Sequence, residues 1–155
     1  MAELKQLQST DSPPNVGDVP MFDGTNFTPQ APSPVGPLTH TFDCPVSVSM
    51  FDAVYISGSN AVDAADANDP TKQPFIGLVR SKPNPTKALV QFYGVFDVFP
   101  PATLTPRAKY FLSTTPGQIT TMPTETPGCI VDAVGLAISD TAMILMVDSD
   151  FTEIE

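Results

Sequence analysis

His40 and Cys44 stand four residues apart in LTHTFDC, which makes Cys44 the natural nucleophile candidate beside that base. A cysteine device needs an imidazole to take the thiol proton, and His40 is the single histidine from which it, or a Ser-His-Asp triad, has to be built. No glycine-rich turn that would supply an oxyanion hole accompanies Cys44. His40 therefore reads as a loop or surface histidine, and no catalytic residue is expected.

Carboxylates offer the second chemistry. Asp63, Asp66 and Asp69 recur three apart in VDAADANDP with Asn68 between them, and Asp148, Asp150, Glu153 and Glu155 lie in DSDFTEIE. A calcium loop needs oxygen ligands at alternating positions and a glycine at its sharp turn, and neither segment has that spacing. They read as a solvated loop and a solvated tail. A carboxylate pair for glycoside hydrolysis is a matter of spatial separation, but the absence of tryptophan removes the commonest sugar-stacking platform. Neither GxGxxG nor GxxxxGK[ST] occurs, so nothing supports nucleotide binding. No metal and no cofactor are expected.

The elements that would position any such group are short strands. Eighteen prolines and nine glycines make up about a sixth of the 155 residues, above average usage and below the level of wholesale disorder. Beyond Leu38 the chain reads as apolar, β-branched runs: PVSVSM, AVYIS, FIGLVRS, KALVQFYGVF, KYFLS, CIVDAVGLAIS and AMILMVDS. Turn clusters separate them: GSNAVDAADANDP, KPNPT, PPATLTP, TTPGQ and TETPG. This spacing predicts an all-β barrel or sandwich. Gly94 inside KALVQFYGVF predicts a bulge or bend, and Gly135 with Ser139-Asp140-Thr141 predicts two strands joined by a turn rather than a buried helix.

The two halves echo one another as a degenerate internal duplication. DAVYISGSNAV followed by PFIGLVRSKPNPTKALVQF is answered by AKYFLSTTPGQIT followed by DAVGLAISDTAMILMV. Tyr55-Ile56-Ser57 answers Phe111-Leu112-Ser113, and Gly77-Leu78 answers Gly135-Leu136, at an offset of about 56 residues. On this reading TTPGQ is a hairpin corner of the scaffold, with Tyr110 and Leu112 on one strand face and Phe111 on the other. The two units share a core that neither could close alone.

The N-terminal segment differs in character. Leu4 and Leu7 are one helical turn apart in MAELKQLQST, a stretch too short to be stable alone. Residues 11–37 carry seven prolines, which excludes a helix or a central strand. Residues 1–41 read as an extended Pro-rich arm, and residues 42–155 as the β domain. Within the arm, FDGTNF predicts a small hairpin turning at Asp-Gly.

Charge restricts the partners. Seventeen acidic against seven basic side chains give a net charge of −10, with no basic stripe to release counterions from a phosphate backbone. Nucleic acid is not expected as a partner. No basic n-region precedes an apolar h-region, and no apolar run approaches the ~20 residues of a membrane helix, so synthesis as a soluble cytoplasmic chain is expected and no membrane contact. Cys44 and Cys129 lack CxxC spacing, and a reducing compartment favours two free thiols over a disulfide.

The series DAVYISGSNAVDAADANDPTKQPFIGLVRSKP, LTPRAKYFLSTTPGQIT and PTETPGCIVDAVGLAISDTAMILMV, covering about Phe42 to Glu155, resembles the small β-rich structural proteins of tailed bacteriophages. Within that group it is most similar to head decoration (cement) proteins and short head fibres. NVGDVPMFDGTNFTPQ is similar to the GDVLVWDGTNW phrases of phage fibre and virion-surface proteins, with Met21-Phe22 and Phe27 where Val-Trp and Trp are usual. The resemblance implies a non-enzymatic protein that binds the major capsid protein on the outer surface of the capsid as a homotrimer and stabilises the coat lattice. A proline-rich arm suits reaching over a neighbouring subunit, with Leu4, Leu7, Phe22 and Phe27 as anchors. Two other classes compete with it: a fibre or tail-associated module that binds a receptor or glycan, and a hydrolase built around His40 and the Asp-rich loops.

Overall fold

The computed structural model describes residues 36–147 and 151–155, together with the backbone of 19–22 and 27–30. The chain divides into two units, Met1–Val35 and Gly36–Glu155. In the first, strands β1 (Val19–Phe22) and β2 (Phe27–Gln30) pair antiparallel with Phe22 opposite Phe27. This is the hairpin expected at FDGTNF. Leu4 and Leu7 lie outside the described residues.

The second unit is all-β. Its first half contains β3 (Leu38–Asp43), β4 (Ala53–Gly58), β5 (Ala61–Ala64), β6 (Phe75–Asn84) and β7 (Lys87–Tyr93). They close into a barrel in the order β3-β5-β4-β6-β7. β3 begins at Leu38, so the last four residues of the 1–41 segment are strand. Its second half contains β8 (Val95–Phe96), β9 (Lys109–Leu112), β10 (Ile119–Thr120), β11 (Ile130–Val131), β12 (Ala133–Ala137) and β13 (Met143–Leu145). Five of these form an open sheet in the order β10-β9-β12-β13-β8, while β11 pairs with β14 (Thr152–Glu153).

The two orders are the same unit read twice. Opened between β3 and β5, the barrel order β5-β4-β6-β7-β3 corresponds to β10-β9-β12-β13-β8, and the registers agree residue by residue. Ala53↔Leu78, Val54↔Gly77 and Tyr55↔Phe75 in the barrel match Lys109↔Leu136, Tyr110↔Gly135 and Phe111↔Ala133 in the sheet, with a register shift at the same place. Leu78↔Gln91 and Val79↔Val90 match Leu136↔Ile144 and Ala137↔Met143. Gly77 and Gly135 are needed for the same reason. A Cβ at either would overlap the carbonyl oxygen of the strand it faces, Gln91 or Ile144. The turns that precede the two units also match. Phe51 and Arg107 both adopt left-handed backbone, φ 73° and 71°, and each donates its N–H across 2.8 Å, to Val79 and Ala137.

What differs between the units is closure, and strand length explains it. In the barrel, β6 spans ten residues and β7 seven, enough to tilt round until β3 meets β5 through the parallel pair Asp43↔Ala61. In the sheet, β8 and β10 are two residues each and cannot reach one another. The interiors follow. The narrow barrel holds small side chains, Val54, Val62, Val79, Ala88 and Val90. Phe96, Tyr110, Leu112 and Met143 at the matching face of the sheet are too large for such an interior and need another surface to cover them. That surface is the outside of the barrel, where Ala53, Leu78 and Phe75 join the same core.

Two hydrogen bonds lock the halves together at the TTPGQ corner. Gly117 accepts from the Ala53 N–H and donates to the Ala65 carbonyl, both at 2.8 Å. The corner is scaffold, and Tyr110 and Leu112 are buried while Phe111 is half-buried on the opposite face.

Three sequence-based expectations are corrected. PVSVSM is a turn rather than a strand: Val48 N–H bonds to the Pro45 carbonyl, and the Lys82 ammonium gathers the carbonyls of Val48 and Pro85 at 2.6 and 2.7 Å. AVDA, read as part of a turn cluster, is strand β5, because Asn60 in left-handed backbone (φ 52°) folds the chain straight back onto β4. The solvated acidic tail contains β14, held by Gly128 N–H to the Ile154 carbonyl and Ile154 N–H to the Cys129 carbonyl.

Candidate functional site

The residues that sequence singled out for chemistry are not brought together. His40 is exposed on β3, where its Nε2 lies 2.9 Å from Asn60 Oδ1 and its ring meets Phe42 edge-on. Cys44 is buried in the barrel core with Val48 and Val54. Cys129 is also buried, its thiol 3.5 Å from Asn68 Oδ1, and both cysteines are free. The Asp-rich loop spends its carboxylates on its own backbone. Asp63 accepts from Ala64 N–H and Asp66 from Asn68 N–H. Asp69 caps the short 3-10 turn Pro70–Lys72 by accepting from the Thr71 hydroxyl and N–H, which hold its carboxyl below the usual range. Among the described residues no cluster of His, Cys, Asp or Glu could hold a metal ion, and no helix is long and apolar enough to cross a membrane. Asp148 and Asp150 lie outside the described residues.

Two other features stand out. The first is the outer face of the open sheet. Val95, Ile144 and Leu136 form one cross-strand row on β8, β13 and β12, and are 44%, 42% and 39% exposed. Strand alternation puts Ile138 and Met146 on the same face, and both are exposed. At the matching positions of the barrel, Gln91 and Leu78 are fully buried, Leu78 in the core shared with the sheet, and Thr39, which answers Val95, is half-buried. The strands β8, β9, β12 and β13 contain no acidic residue, although the chain has seventeen. An apolar patch uncovered on so acidic a protein is what a protein contact surface looks like.

Comparison with known proteins brings no relative. No family model, curated protein or solved structure matches this chain. Its function is therefore argued from its own residues.

The second feature is a cavity of 310 Å³ between the turn that precedes β4 and the loops on either side of β9. Asp52 lines it and is 8% exposed, with its Oδ2 accepting from Ser49 N–H at 2.8 Å. Burial pushes this carboxyl above its ordinary value of 3.8, against the smaller opposing pulls of the Ser49 N–H and the Lys82 charge. The folded state thus binds the Asp52 proton more tightly than the unfolded chain does. Stability from this group rises as pH falls through the raised pKa, and an ionised Asp52 is a cost at neutral pH. Asp52→Asn is accordingly expected to match or exceed the wild-type Tm by a few degrees at pH 7, with the advantage shrinking toward pH 4; thermal unfolding at the two pH values measures it.

Sequence reading missed both features. For the sheet face a signal existed. AVGLAI and MILM are apolar in both strand phases, which on a strand means two faces to cover. For the cavity there was none, because Asp52, Phe99 and Tyr110 meet only through the packing of sheet on barrel.

Proposed function

We propose that this protein is a bacteriophage decoration protein that binds the outer surface of the assembled head as a homotrimer and stabilises the coat-protein lattice, catalysing no reaction. The uncovered apolar row Val95-Ile144-Leu136 carries this reading. It gives a duplicated, rigid β scaffold a flat face suited to a coat subunit or a neighbouring copy, and such faces gain from burial at about 25 cal/mol per Å². The charge of −10 suits a site outside the shell, away from packaged phosphates. The N-terminal segment supplies a second attachment through Leu4, Leu7, Phe22 and Phe27. With many copies on one shell, individually weak contacts add, and whatever binds only the mature lattice stabilises it by mass action.

Electron microscopy of particles assembled with and without this chain tests the proposal. Added density outside the shell near three-fold positions is the expected result, and density at the tail tip would overturn it. Removing residues 1–37 leaves every barrel strand in place, since β3 starts at Leu38. The truncated protein is expected to stay folded and to bind capsids roughly a hundredfold more weakly. Equal occupancy by both forms, measured by co-sedimentation, would remove the arm from the mechanism.

A second reading is a fibre or tail-associated module for a receptor or glycan. The β1-β2 hairpin within GDVPMFDGTNFTPQ favours it, because that phrase resembles those of fibre proteins. Saturable, reproducible hits on a glycan array would promote it over decoration.

A further inference from the structure

Asp52 is unexplained by the fold it sits in. The turn Ser49–Ala53 recurs as Thr105–Lys109 with the same left-handed residue and the same cross-strand hydrogen bond, yet the residue that answers Asp52 there is Ala108. The turn therefore forms without a carboxylate. A buried carboxylate costs stability unless something charged or hydrogen-bonding meets it. Among the described residues, Ser49 N–H is the one donor it has, no hydrogen bond reaches Oδ1, and no ion pair forms. Lys82 is near enough to act on Asp52 electrostatically but its ammonium is engaged by the Val48 and Pro85 carbonyls.

The walls around Asp52 are aromatic. Phe51 and Phe99 stack at 5.4 Å between centroids and 28° between planes, and both line the cavity with Tyr110. Phe51 is held in the left-handed backbone of the recurring turn, a conformation unfavourable for a bulky side chain. Thr103 and Gln118 add polar atoms at the rim. A volume of 310 Å³ is at the small end of ligand sites, enough for one short chain-like group.

We propose that this cavity binds an ammonium or guanidinium group on a short apolar stem, with Asp52 as its counter-ion and the rings of Phe51, Phe99 and Tyr110 in its walls. The chemistry selects a cation in three ways. A carboxylate oxygen accepts from N–H donors in a charge-assisted bond, aromatic faces attract positive charge, and a chain of net charge −10 concentrates cations at its recesses. An anion would meet Asp52 head-on, and a purely apolar ligand would leave its carboxylate desolvated and unmatched. This site is separate from the apolar row and does not depend on the decoration reading.

Heteronuclear NMR of the full chain, titrated with n-butylguanidinium at constant ionic strength, tests it. Saturable shifts are expected at the amides of Asp52, Gly117 and Gln118. The neutral isostere n-butylurea should bind at least about tenfold more weakly, the margin of one charge-assisted hydrogen bond. Asp52→Asn, whose amide oxygen can still accept from Ser49 N–H, should weaken n-butylguanidinium by a similar factor. Thr103→Trp, at an exposed position on the rim, should block it; retained dispersion in both spectra shows that the variants are folded. An acetyl-Gly-Arg-Gly-amide arm distinguishes the source of the cation. Binding of the peptide with the same shifts assigns the site to an arginine side chain of a protein partner, and binding of the free ion alone assigns it to a small molecule. Absence of saturation, equal binding of n-butylurea, or unchanged affinity in either folded variant would overturn the proposal.

Discussion

Gly77→Ala is expected to lower the unfolding free energy by about 2–3 kcal/mol, the cost of forcing atoms into a packed strand pair. Its Cβ would strike the Gln91 carbonyl oxygen and lie 2.9 Å from Val90 Cγ1. Neither can yield: the carbonyl belongs to Gln91, a fully buried residue paired on both sides in the barrel, and a β-branched side chain is stiff at χ1. Gly135→Ala strikes the Ile144 carbonyl oxygen in the same way, but its next neighbour is Met143 Sδ at 3.0 Å, the middle of a flexible chain. The Gly135 variant should therefore lose less, by about 1 kcal/mol. Gly36→Ala serves as the control, since nothing lies within 4 Å of a Cβ there. Urea midpoints with unchanged m-values measure all three. A Gly77 variant as stable as the control would mean that the paired glycines do not set the approach of β6 to β7.

The largest effect on binding is expected from Leu136→Asp combined with Ile144→Asp. Both side chains are about 40% exposed, so the double variant should stay folded and lose no more than about 1 kcal/mol of stability. Two carboxylates in the centre of an apolar contact surface should reduce capsid binding by at least about a hundredfold, because desolvated charges at such a centre have no partner. Met122→Asp, at a site 78% exposed and outside the row, should bind as the wild type does. Undiminished capsid occupancy by the folded double variant would remove this face from the proposed mechanism. The repeat supplies an internal contrast. Leu78 answers Leu136 and is fully buried, so Leu78→Asp should prevent folding altogether. One position of the unit is thus buried in the core in its first copy and exposed in its second.

The duplication was legible because it rests on local pattern. Tyr55-Ile56-Ser57 and Phe111-Leu112-Ser113, or Gly77-Leu78 and Gly135-Leu136, can be matched in one dimension, and the ladder registers align the same residues. Turn chemistry was legible for a similar reason: Gly94 and Gly117 carry positive φ where a bend and a corner were expected. PVSVSM misled because strand-like composition is only half of a strand. Its carbonyls found the Lys82 ammonium rather than a neighbouring ladder, and that meeting joins residues more than thirty apart in the chain. AVDA was hidden by its own Asp63 and by the Asp66 that follows: Asp63 accepts from Ala64 N–H at the end of the strand, and Asp66 from Asn68 N–H in the adjoining loop.

The sequence by itself determined that the chain is all-β, that two similar units follow a proline-rich segment, where most corners fall, and that the whole is strongly acidic. These follow from periodicity, turn residues and charge, which are properties of neighbours along the chain. Tertiary structure alone decided that one unit closes while the other stays open, that the open one covers the barrel with its inner face, and that its outer row remains uncovered. It also decided that Asp52 lies in an aromatic cavity. Closure depends on strand length, tilt and the fit of side-chain volumes between units, and such fits arise only when residues far apart in sequence are packed against one another.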